Sequence, residues 1–132
     1  LKDAAKKSSP EMIRWLVKEV GEDVAKQDAN EYTALHFAVI FGRFENAQAL
    51  LELGANANLG EPFFSIPSSD LDDPVAMAAL LIAHGADVNQ LVIEEGMPVR
   101  NILTEAVDYD DSDMIEFLRS KGAKLPDELS AS

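Results

Sequence analysis

The sequence predicts an all-α solenoid, in which short helix-turn-helix units stack in a row and turns project from one edge. Two markers recur in step along its 132 residues. A glycine follows each of four apolar helical stretches, spaced 33, 31 and 37 residues apart, at Gly21, Gly54, Gly85 and Gly122. A large apolar residue followed by a small one at i+3 recurs with similar spacing, at Leu1/Ala4, Leu35/Ala38, Ile66/Ser69 and Leu103/Ala106. Because so short a helical pair cannot bury its own apolar face, we expect stacked neighbours.

Side chains that cap helices mark where each unit's helices begin. A short polar side chain accepts from the first-turn N–H groups, and proline tolerates that turn. The predicted starts are Ser9-Pro10, Thr33, Asp73-Pro74 and Asp111-Ser112. In the second unit this places a second helix at about residues 45–53, ended by Gly54 in a left-handed conformation. The chain is then one domain with units at about 1–27, 28–58, 59–89 and 90–125, and a polar tail at 126–132.

Two stretches depart from the regular pattern. Pro67 lies inside the expected first helix of the third unit, and proline is poorly tolerated in a helix interior. We therefore expect that helix to be short or irregular. The turn before the fourth unit, residues 90–100, is about four residues longer than the repeat requires. It carries Leu91, Val92, Ile93 and Met97.

These units resemble the ankyrin repeat, a turn followed by two antiparallel helices. The resemblance is best in residues 28–58, where Thr33-Ala34-Leu35-His36 is similar to the family's T-P-L-H motif. Gly42, Leu50-Leu51 and Gly54-Ala55 stand where the family has them, and residues 80–89 are also similar. Glu31 occupies the place of the usual turn glycine, so we expect a distorted turn there.

Composition argues against several classes of function. With 24 acidic and 11 basic residues the net charge is −13, which disfavours binding to nucleic acid or anionic membrane. There is no cysteine, and Asp108–Asp113 lacks the glycine and glutamate of an EF-hand loop. We therefore expect no catalytic residues, no metal and no cofactor. Without a visible signal peptide or membrane span, we expect a cytoplasmic monomer.

The resemblance implies a protein-binding module with a concave face made of turn tips and first helices. Carried over position by position, it implies partner-binding residues at Gln27, Asn30, Tyr32, Ile40, Phe41, Phe63, Leu71, Asp72, Arg100, Asp108 and Tyr109. Our hypothesis is that Tyr32, Phe41 and Tyr109, with the surrounding acids, bind a basic protein partner, the chain acting as an adaptor or inhibitor. Ile40, Phe63 and Leu71 have an alternative role in packing between units. Two alternatives for the whole chain are an acidic immunity or antitoxin protein and a structural fragment of a larger scaffold.

Overall fold

The structure, a computed structural model, describes residues 1–59, Ile66, 73–93 and 95–130. Its helices, in chain order, are α1 (Lys2–Lys7), α2 (Pro10–Trp15), α3 (Ala34–Ile40), α4 (Phe44–Glu52), α5 (Pro74–Ala83), α6 (Ile102–Asp108), α7 (Ser112–Ser120) and α8 (Pro126–Ser130). In one layer α1 packs on α3; in the other α2 packs on α4, and α5 packs on α7. From α1 to α4 the helices alternate between these two layers, as the predicted solenoid requires.

The predicted caps form at the expected residues. Ser9 Oγ accepts from Met12 N at 3.3 Å, and Thr33 Oγ1 accepts from His36 N at 3.4 Å. Asp73 and Asp111 cap α5 and α7 in the same way. The helix expected at 45–53 lies one residue earlier, at Phe44–Glu52.

The turn at Glu31 has a backbone conformation that glycine favours. Glu31 has a φ of 68°, in the left-handed region. The turn is closed by Asp28, whose backbone N–H donates to Tyr32 O at 2.9 Å, while Glu31 N donates to Asp28 O at 2.9 Å. The missing glycine therefore leaves a closed turn, with the strain of a non-glycine residue at positive φ.

One apolar core runs through all the units. Of the large residues in the four repeated pairs, Leu35, Ile66 and Leu103 are fully buried and Leu1 is partly buried. The small partners Ala38 and Ala106 are also fully buried. The described buried residues from Ala4 to Ala123 belong to one cluster. Ile66 is the described part of the irregular first helix expected in the third unit; the rest of that helix, with Pro67, lies outside the described residues.

Asparagine side chains tie neighbouring turns together. Asn58 Nδ2 donates to Gly85 O at 3.1 Å, and its Oδ1 accepts from Asp87 N at 2.8 Å. Asn89, one unit later, repeats both bonds, with Gly122 O at 3.2 Å and Lys124 N at 2.8 Å. The recurrence of the same bonds one unit apart gives the turns a common register along the solenoid.

Two features depart from what the sequence predicts. Residues Leu16–Val20 continue α2 as a π-helix that ends at Gly21. The loop before α2 has two residues, whereas the loop before α4 has three. The helix that begins with α2 is longer than α4, and the wider turn of a π-helix accommodates the additional residues. At the other end, the tail begins with the short helix α8, where Glu128 Oε1 accepts from Leu125 N at 2.9 Å.

Candidate protein-binding face

The candidate site is the side of the solenoid formed by the outward surfaces of α1, α3 and α6, by the turn before α3 and by Arg100 just before α6. It is called here the first-helix face. Of the partner-binding residues predicted from sequence, those that are exposed are Gln27, Asn30, Phe41, Asp108 and Tyr109. Those that are half-buried are Tyr32, Ile40 and Arg100. Phe63, Leu71 and Asp72 lie outside the described residues.

Two aromatic side chains stand out on this face because more than half of their surface is exposed. Phe41, at the end of α3, is 52% exposed, and Tyr109, at the end of α6, is 57% exposed. They follow the last residue of equivalent helices in the second and fourth units. Both therefore have the exposure expected of interface anchors.

Tyr32 is half-buried rather than exposed, because it packs on α3. Its ring stacks on the His36 ring with centroids 3.9 Å apart and planes 2° apart. The Phe37 ring meets Tyr32 edge-on at 6.1 Å. His36 itself is buried. Tyr32 thus helps to hold the turn against α3, and only part of its ring is available to a partner.

The surroundings of Phe41 are cationic, which differs from the acidic neighbourhood that we expected. Lys6 Nζ lies 4.5 Å from the Phe37 ring centroid and 5.5 Å from that of Phe41. Lys2 Nζ lies 5.9 Å from the Phe37 centroid. Ammonium groups at these distances are attracted by the ring faces. Sequence reasoning missed Lys2, Lys6 and Phe37, although a lysine pair at i and i+4 in α1 indicates one shared face.

Asp28 anchors the turn next to this cationic end. Its Oδ1 accepts from Asn30 N at 2.8 Å and from Tyr32 N at 3.1 Å, and its Oδ2 lies 3.8 Å from Lys2 Nζ. Desolvation by itself would raise the pKa of Asp28. The two backbone bonds, with the charges of Lys2 and His36, outweigh that effect and lower its pKa below the usual 3.8.

The fourth unit presents the opposite charge. Arg100 Nε donates to Glu105 Oε1 at 2.6 Å, and its Nη2 donates to Asp108 Oδ2. Burial alone would lower the pKa of Arg100, but the bonds to Asp108 and Glu105 prevail and raise it. One cation thus faces two carboxylates, and Tyr109 and Asp110 follow directly. Sequence reasoning missed Glu105, which lies three residues before Asp108 and therefore on the same side of α6.

Two kinds of site are absent from the part of the chain that the structure describes. No three His, Asp or Glu side chains there stand together in an arrangement that could hold a metal ion. Among the same residues, no helix combines the length and the apolar character needed to cross a bilayer.

Comparisons with known proteins bear on the fold and the repeats. Residues 1–51 match the family described as "Ankyrin repeats (many copies)". No curated protein sequence matches this chain. Among solved structures, the human ASB11 ankyrin repeat domain is similar over 93% of this chain and 54% of its own, with a TM-score of 0.71 and 24% identity. The chain thus spans about half the length of that domain. Residues 1–51 therefore match the ankyrin-repeat family in sequence, and the stacked units with their shared turn bonds have the fold of an ankyrin-repeat solenoid.

Proposed function

We propose that this chain is a non-enzymatic protein-binding module whose first-helix face, the concave face of the family, takes a basic protein partner. Ankyrin repeats in general are protein-interaction modules, which is the strongest support for binding as such. The net charge of −13 supports a basic partner, since opposite charge steers association. By covering a partner's surface, such a module acts as an adaptor or an inhibitor.

The observation that carries the proposal furthest is the pairing of an exposed aromatic ring with acids in the fourth unit. Tyr109 offers apolar area and a hydroxyl group, as interface anchors commonly do. Asp108 and Asp110 flank it, and Asp108 remains half-exposed although it pairs with Arg100. A lysine or arginine of the partner finds both a ring and carboxylates at this end.

Phe41 has a different part in the proposal. Because Lys6 lies over its ring, this end of the face disfavours a partner's cations. Apolar and acidic side chains of the partner contact Phe41, Ile40 and Lys6. Its basic side chains contact Tyr109 and Asp108. A bound segment then has one preferred direction along the solenoid.

Site-specific cross-linking tests the face even when the partner has not been identified. A photoreactive phenylalanine derivative replaces Tyr109 in one variant and Trp15 in another. Trp15 is a matched control, because it is 53% exposed and lies on α2 in the other helix layer. In an extract of the source cells, we expect position 109 to capture a protein through a Lys- or Arg-rich peptide. Three outcomes contradict the proposal: equal capture at both positions, no capture at position 109, or capture through an acidic peptide. If nothing is captured at position 109, we infer instead that the array is a structural spacer.

A further inference from the structure

The long turn before α6 forms a hairpin with apolar side chains on its outside. Val92 and Arg100 pair as an antiparallel bridge, with Val92 N to Arg100 O at 2.7 Å and Arg100 N to Val92 O at 3.1 Å. Gly96 lies in the reversal with a φ of 79°. The "apolar hairpin" is defined here by its four exposed aliphatic side chains, Leu91, Ile93, Met97 and Val99.

These four side chains are exposed to a degree that is unusual for aliphatic residues. Ile93 is 74% exposed and Met97 is 57% exposed, while Leu91 and Val99 are each more than two-fifths exposed. The turn that follows α4 instead offers Asn56 and Asn58, both engaged in hydrogen bonds. A cluster of exposed apolar side chains on one projecting element is typical of an interaction surface.

The hairpin is held in place by the body of the solenoid. Val92 is buried between the exposed residues on either side of it. Arg100, at the end of the bridge, reaches both Glu105 and Asp108 on α6. Because these contacts fix the base of the hairpin, the hairpin loses less conformational entropy on binding than a free loop would.

Charge decides which kind of partner fits this surface. Between residues 90 and 99 the sequence contains two acids, Glu94 and Glu95, and no lysine or arginine. Arg100 is paired with two carboxylates, so it leaves the neighbourhood net negative. An acidic segment is repelled here, whereas a segment that places lysine or arginine beside apolar side chains satisfies both the hairpin and the acids.

We propose that the apolar hairpin and the acidic end of α6 form one docking surface for a basic, amphipathic segment of a protein partner. The inference rests on the proposed function and deepens it, since it names the partner's chemistry and adds a second contact element. The partner's apolar side chains cover Ile93 and Met97. Its cations lie against Asp108 and Tyr109.

A displayed library of random 15-residue peptides, selected on the whole chain, is the probe. We expect enrichment of peptides in which Lys or Arg alternates with apolar residues. One enriched peptide is then titrated by fluorescence anisotropy against Ile93→Ser/Met97→Ser, Tyr109→Ala and the matched control Trp15→Ser. The hairpin variant is expected to lose at least tenfold in affinity and Trp15→Ser less than twofold. Because Ile93, Met97, Tyr109 and Trp15 are all exposed, the three variants should keep the wild-type melting temperature, which circular dichroism checks.

The outcomes separate the hairpin from the proposed function. If Tyr109→Ala weakens the peptide but the hairpin variant does not, the hairpin inference is wrong and the first-helix face stands. If the hairpin variant weakens the peptide and Tyr109→Ala does not, the hairpin acts alone and the link to α6 is wrong. Enrichment of acidic peptides, or no enrichment, overturns the inference, while cross-linking at position 109 judges the proposed function independently.

Discussion

The first two units are joined to each other by different bonds from those that join the later units. Between the first and second units, Asn46 of α4 donates through Nδ2 to Ala5 O at 3.1 Å and to Ser8 O at 2.8 Å. Between later units, Asn58 and Asn89 join successive turns. The first unit has Ala25 at the place equivalent to these turn asparagines. The buried side chain of Asn46 thus joins the first two units, where Ala25 cannot form the turn bond of the later asparagines.

The two regions also differ in the charge of their first-helix face. Lys2 and Lys6 lie over phenylalanine rings in the first two units, whereas Asp108 and Asp110 flank Tyr109 in the fourth. Yet residues 1–43 hold equal numbers of acids and bases along the sequence. The lysines therefore reach these rings through the packing of α1 on α3, and not through an excess of basic residues in this part of the sequence.

The largest expected effect is on the junction of the first two units. Asn46→Ala leaves the carbonyls of Ala5 and Ser8 without their donor, near the end of α1 where helical partners are lacking. Because Asn46 is buried, we expect a loss of about 2 to 3 kcal/mol in the free energy of unfolding. Urea unfolding followed by circular dichroism measures it.

The matched control for that junction is Asn56→Ala. Asn56 is exposed, and its Oδ1 accepts from Asn58 N within the same turn. We expect a loss below about 1 kcal/mol for this variant. Equal losses at positions 46 and 56 would show that the junction does not depend on the buried amide.

The second expected effect concerns the opposite charges of the face. For a basic partner peptide identified by cross-linking, Tyr109→Ala should weaken binding by about 2 kcal/mol, the size of an interface hot spot. Phe41→Ala should weaken the binding of the same basic peptide by less than about 0.5 kcal/mol, because Lys6 disfavours cations next to Phe41. Isothermal titration of both variants measures the difference. Equal losses would mean that the two ends do not discriminate by charge.

The elements set by local sequence were predictable. Thr33, Ser9 and Asp73 cap helices where expected, because a cap depends on residues three positions away in the chain. The left-handed conformation of Gly54 likewise follows from its place after an apolar helix. The π-helix at Leu16–Val20 was not predictable, because no local pattern in the sequence separates it from a continuation of α2.

The exposure of two candidate side chains was predictable, but the residues that surround them were not. Phe41 and Tyr109 are exposed as the repeat pattern indicates. Lys6 is 35 residues before Phe41 in the chain, so only the stacking of α1 on α3 brings them together. The stack of Tyr32 on His36 also depends on how the turn closes on α3. Neighbours across units require the register of stacking, which local patterns do not contain.

A smaller effect is expected for the bonds between later turns. Asn58→Ala and Asn89→Ala each remove two hydrogen bonds to the next unit, but these sites are partly open to water, which replaces some of the bonding. We expect a loss of about 1 kcal/mol for each variant in urea unfolding. A loss at either position that matches that of Asn46→Ala would remove the distinction between the two kinds of junction.

The smallest effect is the pH dependence contributed by Asp28 in the first region. Its pKa in the folded protein is below the usual 3.8, so the folded state favours the carboxylate over the acid. The contribution to stability is therefore complete well above pH 3.8 and is lost as the pH falls through the lowered pKa. We expect Asp28→Asn to be less stable than the wild type at about pH 6, with the difference shrinking steadily below about pH 4.

Urea unfolding at several pH values measures that difference, with Asp23→Asn as the control for a general loss of negative charge. Asp23 Oδ1 accepts from Ala25 N, at 2.9 Å, in the neighbouring turn segment. A difference for Asp28→Asn that stays constant from pH 6 to pH 3 would show that the carboxylate's charge is not what holds the turn. Asp28 accepts two backbone hydrogen bonds and lies near Lys2, so the pH dependence should be specific to Asp28→Asn. If the stability difference shrinks equally in both variants, the effect belongs to the net charge of the protein instead.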